Sequence, residues 1–282
     1  MRHVRNPSSE DTAMGRGLSG LKAALASALA LWLAATGASA QDCGREVSCS
    51  VGGGTYRAVL PEDGPNAPWV LYLHGYSGTS EGAMQRASLI DAFLSRGMAV
   101  VAPDGQPFAG EGPPDWSVAD TFDWPREDTV FLSAVIADAA ERFDLDADRL
   151  LIAGYSRGGS MAWDLACRAP GLARAFASQS GAFWEPLPDA CAGPVHLFHM
   201  HGLADRTVSF EGRKAVFFEH PFHQGSVMSG LDVLRDVNGC WGAAEFTEED
   251  AHFVKRWECD RGSLTLVMGP FGHNRQADTS AR

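Results

Sequence analysis

No stretch of this 282-residue chain is long and apolar enough to span a bilayer. The nearest, from about Ala23 to Thr36, follows Arg16 and Lys22 and precedes Ala38-Ser39-Ala40. A basic start, a short apolar core and a small-x-small end are the marks of a secretory leader. Residues 1–40 are therefore expected to be a signal peptide, starting at Met1 or Met14, and 41–282 a single exported domain, secreted or periplasmic. Cys43 lacks a preceding Leu-x-Gly/Ala, so no lipid anchor is expected. Positive charge is scarce too. The net charge of −12 becomes −14 once a leader with four basic and two acidic residues is removed. Such a surface repels nucleic acid and anionic membrane and suits neutral or apolar small molecules. No C-x-x-C spacing is present, which removes the usual basis for a zinc or redox role. Repeats, heptads and an interdomain linker are also missing. What remains is one domain with enough residues for a full core, its oligomeric state unspecified.

Six cysteines lie beyond the expected leader. An even number in an exported chain argues for disulfides, although six allow fifteen pairings. Locality favours Cys43–Cys49, Cys167–Cys191 and Cys240–Cys259.

Apolar runs alternate with helical periodicity along the chain. Strands are expected near Gly52–Leu60, Trp69–Leu73, Met98–Asp104, Leu150–Ala153, Ala173–Ser180, Val195–Met200 and Leu264–Met268. Helices are expected from an N-cap at Ser80 to about Arg96, over Thr129–Phe143, from Met161 to Ala166 and over Leu231–Val237. Residues 106–125 read as a long loop bearing Trp116, Phe122 and Trp124, and 213–230 as an irregular insertion. Strands alternating with helices imply parallel pairing, hence an α/β sheet.

The chemistry concentrates at Gly154-Tyr155-Ser156-Arg157-Gly158, between an apolar strand and a helix. A G-x-S-x-G in that context is a nucleophile elbow: the glycines clear space and the serine is held exposed on a strained turn. A serine hydroxyl is a weak nucleophile until a base takes its proton and an acid orients that base. Asp205 and His273 each follow a strand, and the order Ser156, Asp205, His273 is that of α/β-hydrolases. Asp189 and Asp232 are the rivals for the acid, and His220 and His223 are outside candidates for the base. His74, His196, His199 and His201 lie in or beside strands and read as structural, and His199-x-His201 lacks a third metal ligand. The backbone N–H groups of Tyr76 and Arg157 are the expected oxyanion donors, with Ser77 the alternative to Tyr76. Trp116, Trp124 and Trp184 are candidates for an apolar acyl or aryl pocket, Trp184 being the residue assigned to substrate.

Several segments together resemble one family. They are His74-Gly75-Tyr76-Ser77-Gly78, Ala102-Pro103-Asp104-Gly105, Gly154 to Met161, Ser180 to Trp184, His201-Gly202-Leu203-Ala204-Asp205 with Thr207-Val208, and Asn238-Gly239-Cys240. The family is the polyhydroxybutyrate depolymerase and feruloyl or acetylxylan esterase group of secreted α/β-hydrolases. The resemblance, from about Cys43 to His273, implies an α/β-hydrolase fold with a mostly parallel sheet flanked by helices. It implies a serine carboxylic ester hydrolase without cofactor or metal, with Ser156, Asp205 and His273 as nucleophile, acid and base. It also supports Cys240–Cys259. Soluble feruloyl, acetyl or hydroxyalkanoate esters are the implied substrates, since no second domain is present to adsorb on crystalline polyester. A serine peptidase on the same fold and a catalytically silent exported binding protein are the alternatives.

Overall fold

The computed structural model describes residues 43–62, 64–118, 124–217, 220–249 and 252–274. The expected leader and Phe122 lie outside the described residues. No helix among the described residues is long and apolar enough to cross a membrane.

The chain opens with a hairpin, β1 (Cys49–Val51) and β2 (Gly54–Val59), followed by the buried strand β3 (Ala67–Leu73). Two short helices, α1 (Ser80–Met84) and α2 (Ala87–Leu94), lead to β4 (Ala99–Pro103). The two-residue strands β5 (Gln106–Pro107) and β6 (Pro114–Asp115) pair within the next loop. Helix α3 (Asp128–Phe143) then precedes β7 (Leu145–Tyr155), α4 (Arg157–Arg168), β8 (Ala175–Gln179) and β9 (His196–Gly202). A hairpin of β10 (Arg213–Phe217) and β11 (His220–Gln224) precedes α5 (Val227–Asn238). The edge strand β12 (Glu245–Glu249), its neighbour β13 (His252–Trp257) and the inner strand β14 (Ser263–Gly269) complete the described strands.

Ten of these strands form one sheet in the order β1-β2-β4-β3-β7-β8-β9-β14-β13-β12. Pairing from β4 through to β14 is parallel, and two antiparallel strands extend each side. The chain runs from β3 outward to β4 and then crosses to the far side of β3 as β7. The strand order therefore reverses between β3 and β7, and a crevice opens beyond their carboxyl ends. The two segments emerging there begin at His74 and Ser156.

Strands β3 and β4 are buried on both faces, as their near-continuous apolar runs require, whereas β8 and β9 alternate between buried and more exposed positions. Along β3 the side chains alternate: Trp69, Leu71 and Leu73 join the core beneath α3, α4 and α5, and Val70 and Tyr72 join the one beneath α1 and α2.

Several local expectations are corrected. The helix expected from Ser80 to Arg96 is two helices, and its N-cap is Thr79, whose side chain accepts from the Gly82 N–H at 3.0 Å. Ser80 instead bonds Asp104 through both its backbone N–H (2.6 Å) and its hydroxyl (2.7 Å). The segment splits where Arg86 leaves helical geometry at φ −82° and ψ 81°; its guanidinium donates to the Tyr72 hydroxyl at 2.9 Å. The insertion at 213–230 holds the β10–β11 hairpin and the start of α5 rather than irregular chain. Strands β12 and β13 lie outside the expected set; Glu245-Phe246-Thr247-Glu248-Glu249 of β12 is mostly polar and exposed and draws its structure from pairing with β13. Asn238 is fully buried and clamps both the N–H and the carbonyl of Val195, each at 2.8 Å, tying α5 to the start of β9.

Candidate active site

Strand β7 passes into α4 through Ser156, at φ 57° and ψ −119°, a conformation that costs a non-glycine residue of order 1–3 kcal/mol. The surroundings hold it there. The Ser156 N–H donates to the Gln179 carbonyl at 2.9 Å, and the Ser156 carbonyl accepts from Ser160 N–H at 2.9 Å. The flanking glycines are sterically required. A Cβ on Gly154 would stand 2.0 Å from the Gly158 carbonyl oxygen, and one on Gly158 would stand 2.1 Å from that of Leu73.

The structure brings the other two predicted side chains to this serine. The Ser156 hydroxyl donates to His273 Nε2 at 2.8 Å, and His273 Nδ1–H donates to Asp205 Oδ2 at 2.9 Å. Asp205 Oδ1 accepts from the backbone N–H groups of Thr207 (2.8 Å) and Val208 (2.9 Å). Burial opposes charge on this carboxylate. The bond from His273 and the two backbone donors outweigh it and hold its pKa below the usual carboxylate range. An ionised carboxylate only accepts, so the proton sits on His273 Nδ1 and leaves Nε2 to accept from serine. The turns after β9 and β14 are joined by two bonds, Leu203 N–H to Gly269 carbonyl (2.9 Å) and Ala204 N–H to Phe271 carbonyl (3.0 Å). The side chains of Tyr155 and Asn274 bond as well, and the Ser180 hydroxyl donates to the His273 carbonyl at 3.2 Å.

The turn after β3 lies against the serine: a Cβ on Gly75 would be 3.3 Å from Ser156 Cβ. Its shape is set by His74, a buried ring with a single tautomer. Nε2 accepts from Gly105 N–H at 2.9 Å, so the proton is on Nδ1, which donates to the Gly75 carbonyl at 2.8 Å. Burial pushes the His74 pKa down, which keeps the ring neutral. The Trp116 indole N–H fixes the His74 carbonyl at 2.7 Å. Ser77 commits its N–H to the Pro114 carbonyl at 2.8 Å, whereas Tyr76 directly follows the glycine beside Ser156. Arg157 is the first residue of α4, where backbone N–H groups have no acceptor within the helix.

The Arg157 side chain has partners of its own, and two of the tryptophans expected near substrate are occupied by the fold. The buried Arg157 side chain pairs with Asp115 at 2.6 Å and donates to the Trp116 carbonyl at 3.0 Å, bracing the elbow against the β6 loop. No motif marked Asp115; its signal was only a carboxylate in a loop rich in aromatics. Trp184 offers substrate no ring face. Arg157 lies over its centroid at 4.0 Å, and Phe222 stacks on it at 4.0 Å and 11°, which requires opposite sides. Trp116 is fully buried and belongs to the core.

The rival residues lie elsewhere in the fold. Asp232 pairs with Arg235 at 2.7 Å, Asp189 is exposed, and His223 pairs with Glu185 at 3.0 Å. The side chain of His220 lies outside the described residues. His196 bonds Ser263 Oγ at 2.9 Å. Among the described residues, no group of three or more His, Cys, Asp or Glu side chains is placed to hold a metal ion. Disulfides join Cys43 to Cys49, Cys167 to Cys191 and Cys240 to Cys259.

Comparison with known proteins gives a consistent picture. A family model described as the alpha/beta hydrolase fold matches residues 68–211. The bifunctional acetylxylan esterase/xylanase XynS20E of Neocallimastix patriciarum is 27% identical over 147 residues, 52% of this chain and 20% of that protein. NocK of Nocardia uniformis subsp. tsuyamanensis is 30% identical over 159 residues, 55% of this chain and 44% of NocK. The chain thus spans less than half the length of either relative. Among solved structures, acetyl xylan esterase from Aspergillus awamori superposes with a TM-score of 0.59 at 14% identity, covering 78% of this chain and 89% of that one. At that identity the likeness is one of fold.

Proposed function

The chain belongs to the alpha/beta hydrolase fold family, and we propose that it is an exported serine carboxylic ester hydrolase acting on soluble esters through an acyl-enzyme. The single observation that carries this reading is the relay from Ser156 Oγ through His273 to Asp205, with contacts of 2.8 and 2.9 Å. In the proposed reaction Ser156 Oγ attacks the ester carbonyl carbon as its proton passes to His273 Nε2. Negative charge moves onto the carbonyl oxygen, where the N–H groups of Tyr76 and Arg157 receive it. The tetrahedral species collapses, the ester C–O bond breaks, and His273 returns the proton to the departing alcohol. Water, deprotonated by the same imidazole, then attacks the acyl-serine and releases the acid. Asp205 stays ionised throughout and stabilises the imidazolium. No cofactor or metal takes part in this scheme.

The substrate class rests on the resemblance and on the relatives. XynS20E and the Aspergillus awamori enzyme carry acetylxylan esterase names, which favours short acyl esters of plant sugars. Feruloyl esters and hydroxyalkanoate oligomers belong to the same proposal. Three disulfides fit an oxidising compartment and support export. A panel of acetyl, feruloyl and 3-hydroxybutyryl esters, with a peptide amide alongside, tests it. Wild type should hydrolyse at least one ester and Ser156→Ala none. Equal rates from the two proteins, or cleavage of the amide alone, would end the reading.

A further inference from the structure

Next to Asp205, two histidines, His199 and His201, are fully buried with no place in the proposed reaction. His199 and His201 occupy successive inward positions on β9, whose period of two puts them on one face. They form a chain of three hydrogen bonds. Trp163 Nε1 reaches His199 Nδ1 at 3.2 Å, His199 Nε2 reaches His201 Nδ1 at 3.1 Å, and His201 Nε2 reaches the Val208 carbonyl at 2.9 Å.

Both ends of this chain have fixed polarity. An indole N–H only donates, so His199 Nδ1 must be bare; a backbone carbonyl only accepts, so His201 Nε2 must carry a proton. The one arrangement meeting both conditions puts each ring's proton on Nε2, with Trp163 donating to His199, His199 to His201, and His201 to Val208. The protonated Nε2 of His201 also stands 3.7 Å from Asp205 Oδ2, the oxygen that receives His273. That distance is too long for a hydrogen bond but places the positive end of the N–H dipole beside the carboxylate. Val208, whose carbonyl this proton grips, donates its own N–H to the other Asp205 oxygen. Trp163 lies on α4, the helix that begins just after Ser156.

We propose that His201 is a positioning residue for Asp205, its Nε2 proton clamping the Asp205–Val208 turn, and that Trp163 acting through His199 keeps the proton on that nitrogen. This rests on the reading of Ser156, His273 and Asp205 as the reacting group. It links the helix that starts at the nucleophile to the turn that holds the acid, through a path that never touches substrate.

Two measurements on the full-length protein test it. In 15N-labelled wild type at pH 7, long-range nitrogen–proton correlation should show His199 and His201 each with a bare Nδ1 and a protonated Nε2. A proton on His201 Nδ1, or a doubly protonated ring, overturns the proposal. In aryl-acetate kinetics His201→Leu should lose roughly ten- to a hundredfold in kcat with little change in KM, as expected for a slightly misplaced catalytic group. His201→Gln, which can present an amide N–H near the position of Nε2, should recover most of that loss. A folded His201→Leu with wild-type kcat, or a glutamine variant no better than leucine, refutes the role. If wild type itself hydrolyses no ester, the reading of the site fails instead. Should His201→Leu not fold, the tautomers of the wild type decide.

Discussion

Asp205→Asn is the substitution whose outcome follows most directly from the hydrogen bonds around it. Asp205 Oδ1 accepts from two backbone donors, the N–H groups of Thr207 and Val208. An asparagine must keep its carbonyl oxygen there, since its amide nitrogen cannot accept. The NH2 group is then forced into the place of Oδ2, facing His273 Nδ1. Two donors cannot face one another, so the imidazole shifts its proton to Nε2 and turns a donor toward Ser156. The ring is then in the wrong tautomer to act as a base. A side chain of nearly the same shape should leave the fold intact while kcat/KM falls by about 10⁴, equivalent to roughly 5.5 kcal/mol of transition-state stabilisation. The assay is aryl-acetate hydrolysis at pH 7.5, with near-ultraviolet circular dichroism as the check on folding. A folded variant retaining more than a tenth of wild-type activity would refute the reasoning.

Other expectations concern stability. Gly158→Ala should lower stability by about 3 kcal/mol or more, because its Cβ would meet the Leu73 carbonyl oxygen at 2.1 Å, whereas Gly171→Ala, with nothing within 4 Å, should stay within ~0.5 kcal/mol; urea denaturation of both compares them. Replacing Cys167 and Cys191 together by alanine opens a bridge between residues 24 apart and should cost about 3 kcal/mol by the same measurement. Burial holds His74, His199 and His201 below the ordinary imidazole pKa of about 6.5. The unfolded chain therefore binds these protons first as pH falls, and the stability present above about pH 6.5 should be lost progressively below it. A urea midpoint as high at pH 5 as at pH 7.5 would contradict that assignment.

The parts of the molecule legible in the sequence are those where local chemistry and global fold demand the same residues. Leu150 to Gly158 is one: a largely buried parallel strand favours a continuous apolar run, and the turn after it needs glycines whose absent side chains make room for backbone. Asp205 and His273 could be placed by their position after strands, and the short sequence separations of the cysteines matched the bridges observed. What escaped was set by partners distant in sequence. Strand β12 is polar and exposed and exists because β13 pairs with it. The Arg86–Tyr72 bond joins residues 14 apart, and the Asp115–Arg157 pair joins residues 42 apart. Trp184 is one of three tryptophans that the sequence offers for an acyl or aryl pocket; only the fold reveals Arg157 and Phe222 covering its two faces. Of the β9 histidines that read as structural, His199 and His201 are buried and His196 is exposed, and the polarity of the buried pair relative to Asp205 depends on Trp163 and Val208 in three dimensions.

Covalent labelling tests the central claim most directly. The protein is treated at pH 7.5 with a fluorophosphonate, digested, and the modified residue located by mass spectrometry. The arrangement of Ser156, His273 and Asp205 predicts one adduct, on Ser156, formed far more slowly when His273 is replaced by alanine. A wild-type protein left unlabelled, or labelled at another serine, would contradict it.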